Sequence, residues 1–286
     1  MEPTEIYQNV NKIKELLKSK DFDVVNSGLD LAQALNEEAI YEKLLEGCGV
    51  DKEGKLVNEK KEISNYLVCT LSSLSNSPKS KEIIEKVTTL VMNDSNMTNE
   101  DGENILDYFD LPKLNNLNEL DLSKSYSMDE FSLQNVPNLK KLTIDHTPAM
   151  YITPEELPKL SELSICGWAP DCDLLGDNLY DLDFLSNFEN LESLTLISCE
   201  VLEDINGLAN LKKLSKLVLE GTKALEDLNV LTKLNSLEHL ELNYCYDIEL
   251  IPDRASNYDG IVDTSFETTL KDKELKSYIE KIKGNL

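Results

Sequence analysis

Two hydrophobic rhythms divide this chain. Over residues 1 to about 110, apolar side chains return every three or four positions: Ile6, Val10, Ile13, Leu16 and Leu17 form one stripe, and Val24, Leu31, Ala34 and Leu35 continue it. That spacing predicts amphipathic helices. A third helix is predicted over residues 37–46, the glycines at 47, 49 and 54 break the pattern, and helical spacing resumes over residues 62–74 and 81–92. About five helices result. The polar run NDSNMTNEDGEN, residues 93–104, reads as a connection to something different.

From residue 112 the rhythm changes to alternation, and the same phrase, L-x-x-L-x-L/I, is written six times. Its residues are Leu117, Leu120, Leu122; Leu139, Leu142, Ile144; Leu160, Leu163, Ile165; Leu191, Leu194, Leu196; Leu214, Leu217, Leu219; and Leu237, Leu240, Leu242. The middle leucines step by 22, 21, 31, 23 and 23 residues. Alternation at the L-x-L core predicts a short strand with its apolar side chains inward, and recurrence near 22 residues lets successive strands stack as a parallel sheet. A single unit cannot bury its own leucines, so the units must stack into a solenoid. This pattern resembles the leucine-rich repeat family, and LEDINGLANLKKLSKLVLEGT and LEDLNVLTKLNSLEHLELNYC resemble its short bacterial type.

The family usually places Asn three residues past the last core Leu or Ile, where its side chain bonds the turn backbone. Here the positions hold Ser125, Thr147, Trp168, Cys199, Thr222 and Cys245, of which all but Trp168 are small donors able to stand in for Asn. Trp168 falls where the period jumps to 31, so an insertion at about 168–184 must rebuild that turn. Both ends of a solenoid need covering. The helices, continued by ILDYF at 105–109, serve the first repeat, and the segment after residue 265, with Leu270, Leu275, Ile279 and Ile282 on one face, serves the last. The predicted fold is α/β: a helical N-terminal region at 1–104, the solenoid at 105–252, and a surface connection with a capping helix at 253–286.

Charge narrows the choice of partner. Against 28 Lys+Arg stand 54 Asp+Glu, a net charge of -26 that repels nucleic acid and anionic lipid. No apolar run is long enough to span a membrane and no secretory leader is legible, so a cytoplasmic protein is expected, acting as a monomer. The six cysteines lack a CxxC pair and read as reduced thiols, with Cys166 and Cys172 the more exposed. Between Lys159 and Lys212 there are eleven acids and no base, which points to a basic partner or to a solubilising surface.

Catalytic chemistry finds little support. Asp145, His146 and Cys166 fall near one another in the repeat frame, but adjacent strand residues point to opposite sides and nothing supplies an oxyanion hole. The aspartates from Asp171 to Asp183 fail the calcium-loop pattern, with Leu175 and Leu182 where an acid or amide and a glutamate belong, and DKEGK fails it at Leu56. Phosphate-loop, dinucleotide, HExxH and GxSxG motifs are absent. No catalytic residue, metal or cofactor is therefore predicted.

What remains is a surface. Residues flanking the inward leucines face outward on the concave side, with short, moderately apolar residues central and acids toward the ends. The candidate partner-binding residues there are Asp121, Ser123, Thr143, Asp145, Ser164, Cys166, Thr195, Ile197, Val218, Glu220, Glu241 and Asn243, joined by Trp168, Asp171, Asp173 and Asp177 of the insertion. A solvated sheet face without a partner accounts for the same residues. The resemblance implies a non-enzymatic protein-binding module. Two alternatives stand beside it: an acidic inhibitor or immunity-type protein masking a basic toxin or nuclease site, and an enzyme or adaptor activity in the helical region.

Overall fold

The computed structural model describes residues 1–92, 110–123, 132–145, 152–167, 179–222, 224–245 and 267–284, without the side chains of 145, 267–272, 283 and 284. The chain forms two compact units, Met1–Leu142 and Thr143–Leu286.

In the first unit α1 (Pro3–Leu17) starts on a proline, whose missing N–H costs nothing there, and buries Val10, Ile13 and Leu17. Helix α2 (Phe22–Leu35) is capped by the Asp21 carboxylate, which accepts the N–H groups of Asp23 and Val24. Its buried face is Phe22, Val25, Leu29 and Ala32, not the predicted Val24, Leu31, Ala34 and Leu35. Gly28 explains the rotation. A Cβ there would lie 3.0 Å from Leu16 Cβ and 3.1 Å from Leu17 Cδ2, so the bare glycine lets α2 approach α1 closely and carries its neighbours inward.

Helix α3 (Glu38–Leu44) leads into a hairpin of β1 (Cys48–Val50) and β2 (Leu56–Asn58), where only a break was predicted. The Asp51 carboxylate organises its turn, accepting from the N–H groups of Glu53 and Lys55, and Gly54 supplies the left-handed residue at φ +83°. Helices α4 (Asn65–Ser73) and α5 (Pro78–Lys86) begin at the hydroxyls of Ser64 and Ser77. The helix predicted to reach residue 92 stops at Lys86. Val87, Thr88 and Thr89 are β-branched and crowd a helix, and Thr89–Val91 instead form β3, parallel to β4 (Glu119–Leu122) with Leu90 opposite Leu120. The boundary between the units falls inside β5 (Lys141–Asp145).

The second unit holds β6 (Glu162–Cys166), β7 (Ser193–Ile197), β8 (Lys216–Glu220) and β9 (His239–Asn243), all parallel. Their register equals the repeat: Leu163, Leu194, Leu217 and Leu240 are aligned, as are Ile165, Leu196, Leu219 and Leu242. These leucines and isoleucines are buried, each worth about 1.5–3 kcal/mol against exposure. Hydrogen bonds repeat with the same pitch. Two successive N–H groups enter each strand on one carbonyl of the unit before: Glu192 and Ser193 on Ser161, Ser215 and Lys216 on Glu192, Glu238 and His239 on Ser215.

Between strands, the chain returns through short 3-10 helices at Asp183–Asn187, Asn206–Asn210 and Asn229–Lys233. Asp181, Asp204 and Asp227 start them, their carboxylates accepting the N–H groups of Asp183, Asn206 and Asn229. At the far end β10 (Glu267–Lys271) runs antiparallel to β9 and α6 (Asp272–Gly284) follows. Leu270, predicted on the capping helix, thus sits on a strand opposite Leu240, because the β-branched pair Thr268–Thr269 delays the helix to Asp272. The buried face of α6 is Leu275, Tyr278 and Ile282.

Candidate functional site

Along β6 to β9 every second residue leaves the core, and the register arranges these residues in three rows. The first holds Glu162, Ser193, Lys216 and His239; the second Ser164, Thr195, Val218 and Glu241; the third Cys166, Ile197, Glu220 and Asn243. Eight of the predicted partner-binding residues therefore lie on one surface, rows two and three. Ser164, Cys166, Thr195, Ile197, Glu220, Glu241 and Asn243 are half-buried, whereas Val218 retains only 6% exposure despite its outward position. In the first unit, Asp121 and Ser123 are half-buried at β4, where the Asp121 carboxylate accepts the Ser123 N–H. Thr143 is half-buried on β5, and Asp145 ends that strand.

Trp168, Asp171, Asp173 and Asp177 lie outside the described residues, as do His146, Cys172, Ser125, Thr147, ILDYF and the 253–263 connection. Of the insertion, Leu179 is buried, Tyr180 is exposed and Phe184 is half-buried. The described acids between Lys159 and Lys212 are all exposed but face different ways. Glu162 is on the first outward row, while Asp181 and Asp204 are spent on turn amides.

Charges on the face are partly committed. Lys216 and His239 are register neighbours on β8 and β9, and both reach Glu241: the Lys216 Nζ is 4.0 Å from Oε1, and His239 Nε2 contacts the same oxygen. In the first unit Lys141 pairs likewise with Glu119 at 2.5 Å. Lys216 and His239 fall outside the predicted partner-binding set. Their separation of 23 residues, one repeat, was the available signal.

Two polar ladders hold the strands in this register. After β7, β8 and β9 the chain turns through left-handed residues, Ser198 at φ 54°, Gly221 at φ 67° and Tyr244 at φ 55°, which aim the next side chain inward. Those side chains are Cys199, Thr222 and Cys245, all buried. The Cys245 thiol lies 3.4 Å from the Leu219 carbonyl and 3.2 Å from the Thr222 hydroxyl, so a rung crosses between repeats. Burial pushes the Cys245 thiol pKa up, opposed in part by the Thr222 hydrogen bond. The Tyr278 hydroxyl is buried without a hydrogen-bond partner among the described residues, and burial pushes its pKa up to about 12.

The second ladder uses the residue just before the first leucine in four of the six phrases, a position outside the predicted site. Asn116 donates to the Glu85 carbonyl at 2.8 Å, and Asn138 to Asn115 at 2.7 Å. In the second unit Asn190 donates to Pro158 at 2.9 Å and Ser236 to Lys212 at 2.5 Å. Among the described residues no group of three or more His, Cys, Asp or Glu side chains is placed to hold a metal ion. No described helix is long and apolar enough to cross a membrane.

In-register L-x-L strands, inward leucines and buried small polar side chains at the turns after β7, β8 and β9 give an α/β leucine-rich repeat solenoid with a helical N-terminal region and a C-terminal helix. No model of a known protein family matches the chain, and no curated protein matches it. Among solved structures it is similar to internalin C2 of Listeria monocytogenes, at 21% identity and a TM-score of 0.34 over 55% of this chain and 63% of that one. It is also similar to a leucine-rich repeat protein of Leptospira interrogans, at 14% identity and a TM-score of 0.26 over 57% of this chain and 38% of that one. The chain thus spans less than two thirds of either protein.

Proposed function

We propose that the protein is a non-enzymatic interaction module that docks a protein partner on the outward face of its repeat strands. The observation that carries this reading is the mixed chemistry of the outward rows, where hydroxyl, aliphatic, thiol, carboxylate and amine groups vary from strand to strand while the inward positions stay Leu or Ile. An invariant core under a variable face is how one scaffold carries different specificities. The contact centre is Thr195, Ile197 and Val218, and the charged residues around them form its rim. The protein acts as a cytoplasmic monomer, with the region at 1–104 covering the first repeat.

A narrower form of the same reading is an inhibitor of a basic site, supported by the exposed acids Glu189, Glu192, Glu200 and Glu203 in a stretch without Lys or Arg. Such an inhibitor would bind quickly and lose on-rate steeply with added salt. The decisive experiment is affinity purification of the full chain from its source cells, with mass spectrometry, beside the variants Thr195→Arg and Ile197→Arg. A protein recovered with the wild type and lost from both variants, with melting temperatures unchanged, supports the reading. Equal recovery on all three removes the face from consideration.

A further inference from the structure

The overall charge of the protein suggests a purely basic partner, yet the arrangement of charge on the face is different. On β8 and β9 the first row holds Lys216 and His239, and on β10 the register position opposite His239 is Lys271. The third row holds Glu220 and Asn243, and opposite Asn243 stands Glu267. At this end of the face, basic register positions therefore line one border, and Glu220 and the position of Glu267 flank Asn243 on the other. Between them runs the second row, Val218, Glu241 and the register position of Thr269. Glu241 is engaged by Lys216 and His239, whereas Glu220 makes no ion pair among the described residues. The borders lie four residues apart along the strands, roughly 13 Å at about 3.3 Å per residue.

We infer that this end of the face receives an extended segment of the partner that carries both signs of charge, an acidic side chain over Lys216 and a basic one over Glu220, four residues apart. The inference rests on the docking reading above and specifies its partner. In an extended segment residues four apart share one face and span the same roughly 13 Å, so each charge meets its opposite while the residue midway lies over Val218. A segment with two basic residues would set one of them against Lys216, and a segment with two acids would set one against Glu220. Like charges brought together at an interface are a strong source of discrimination.

The test uses three fluorescein-labelled nine-residue peptides, identical except at positions 3 and 7, which carry Glu and Lys, Lys and Lys, or Glu and Glu, with Val at position 5. Fluorescence anisotropy against the full chain at low salt should show the mixed peptide binding at least fivefold more tightly than the other two. Lys216→Glu should move the preference to the Lys/Lys peptide, and Glu220→Lys should move it to Glu/Glu. The double variant should regain the mixed peptide, now in the opposite orientation. A wild type that favours Lys/Lys, or the absence of saturable binding by all three peptides, overturns the inference. Thr195→Arg separates this failure from failure of the docking reading. If it abolishes peptide binding while the charge variants do nothing, the face docks a segment but does not read its charge. If it leaves binding intact, the peptides do not sit on the face at all.

Discussion

Gly207 is where the return turns of two successive repeats touch backbone to backbone, and Gly207→Ala tests that packing. A Cβ at this position would lie 2.1 Å from the Leu182 carbonyl oxygen, 2.4 Å from its carbon and 2.8 Å from the Asp183 nitrogen. Carbon approaches oxygen comfortably only at about 3.3 Å, so one turn must retreat by roughly 1 Å. No side chain can swing aside to absorb the clash, which puts its cost near the upper end of the usual overpacking range, about 3 kcal/mol. Removing a glycine also restricts the unfolded chain and returns about 0.4–1 kcal/mol. The net loss is therefore roughly 2 kcal/mol, or about 4–8 °C in melting temperature for a chain of this order of size.

Thermal melts followed by circular dichroism measure it, with Gly49→Ala as the control. There the nearest atom to a new Cβ is the Lys79 ammonium at 3.9 Å, and the same entropic gain should leave stability unchanged or slightly raised. If Gly207→Ala melts within 1 °C of wild type while the control behaves as expected, the turns are not packed as described.

Three further outcomes are expected. Cys245→Ser should keep its rung and lose less than about 1 kcal/mol, whereas Cys245→Leu should lose roughly 1–3 kcal/mol through overpacking and a broken hydrogen bond; fast labelling of the native thiol would contradict its burial. Tyr66 and Tyr278 are both held near 12 by burial, so the unfolded chain ionises them first, and stability present below pH 10 should fall as pH rises from 10 toward 12, by at most about 2–3 kcal/mol each. Urea titrations at pH 9 and pH 11 check this, and Tyr278→Phe should flatten the decline. Tyr244→Gly should stabilise by roughly 1 kcal/mol, because its φ of 55° costs a residue with a Cβ what it does not cost glycine, and Gly221→Ala should lose a similar amount at φ 67°.

The parts legible in the sequence are those where one residue type answers one physical demand in every repeat. Inward leucines must be large and apolar, so Leu194, Leu217 and Leu240 announce themselves, and the buried turn position admits only small donors, so Cys199, Thr222 and Cys245 were readable as a ladder. The ladder of Asn116, Asn138, Asn190 and Ser236 was not, because a polar residue before a leucine is also what any solvated turn shows. Strands β3 and β10 were hidden for another reason. Each has three to five residues, lies beside a helix and takes its pairing from a strand remote in sequence, Leu90 from Leu120 and Leu270 from Leu240. The rotation of α2 depends on a side chain that Gly28 lacks, which periodicity alone cannot weigh. For the candidate site, strand alternation was enough to place the described residues of β6 to β9 on outward rows, but the convergence of Lys216 and His239 on Glu241 is a cross-strand relation visible only in register.

The rungs that join Thr222 to Cys245 and Ser236 to the Lys212 carbonyl also set the grain at which this protein can change length. A single-residue insertion within a unit moves every downstream donor away from its carbonyl and turns leucines outward, so it injures both neighbours at once. Excising Ser198 to Glu220 instead brings Ile197 to Gly221, equivalent junctions one repeat apart, and presents Thr222 where Cys199 had been. The shortened chain keeps its inward leucines, its left-handed turn and its polar rung, and should still fold with a cooperative melt. Growth and loss by whole units, with point changes confined to the outward rows, is the route this architecture leaves open for acquiring a different partner.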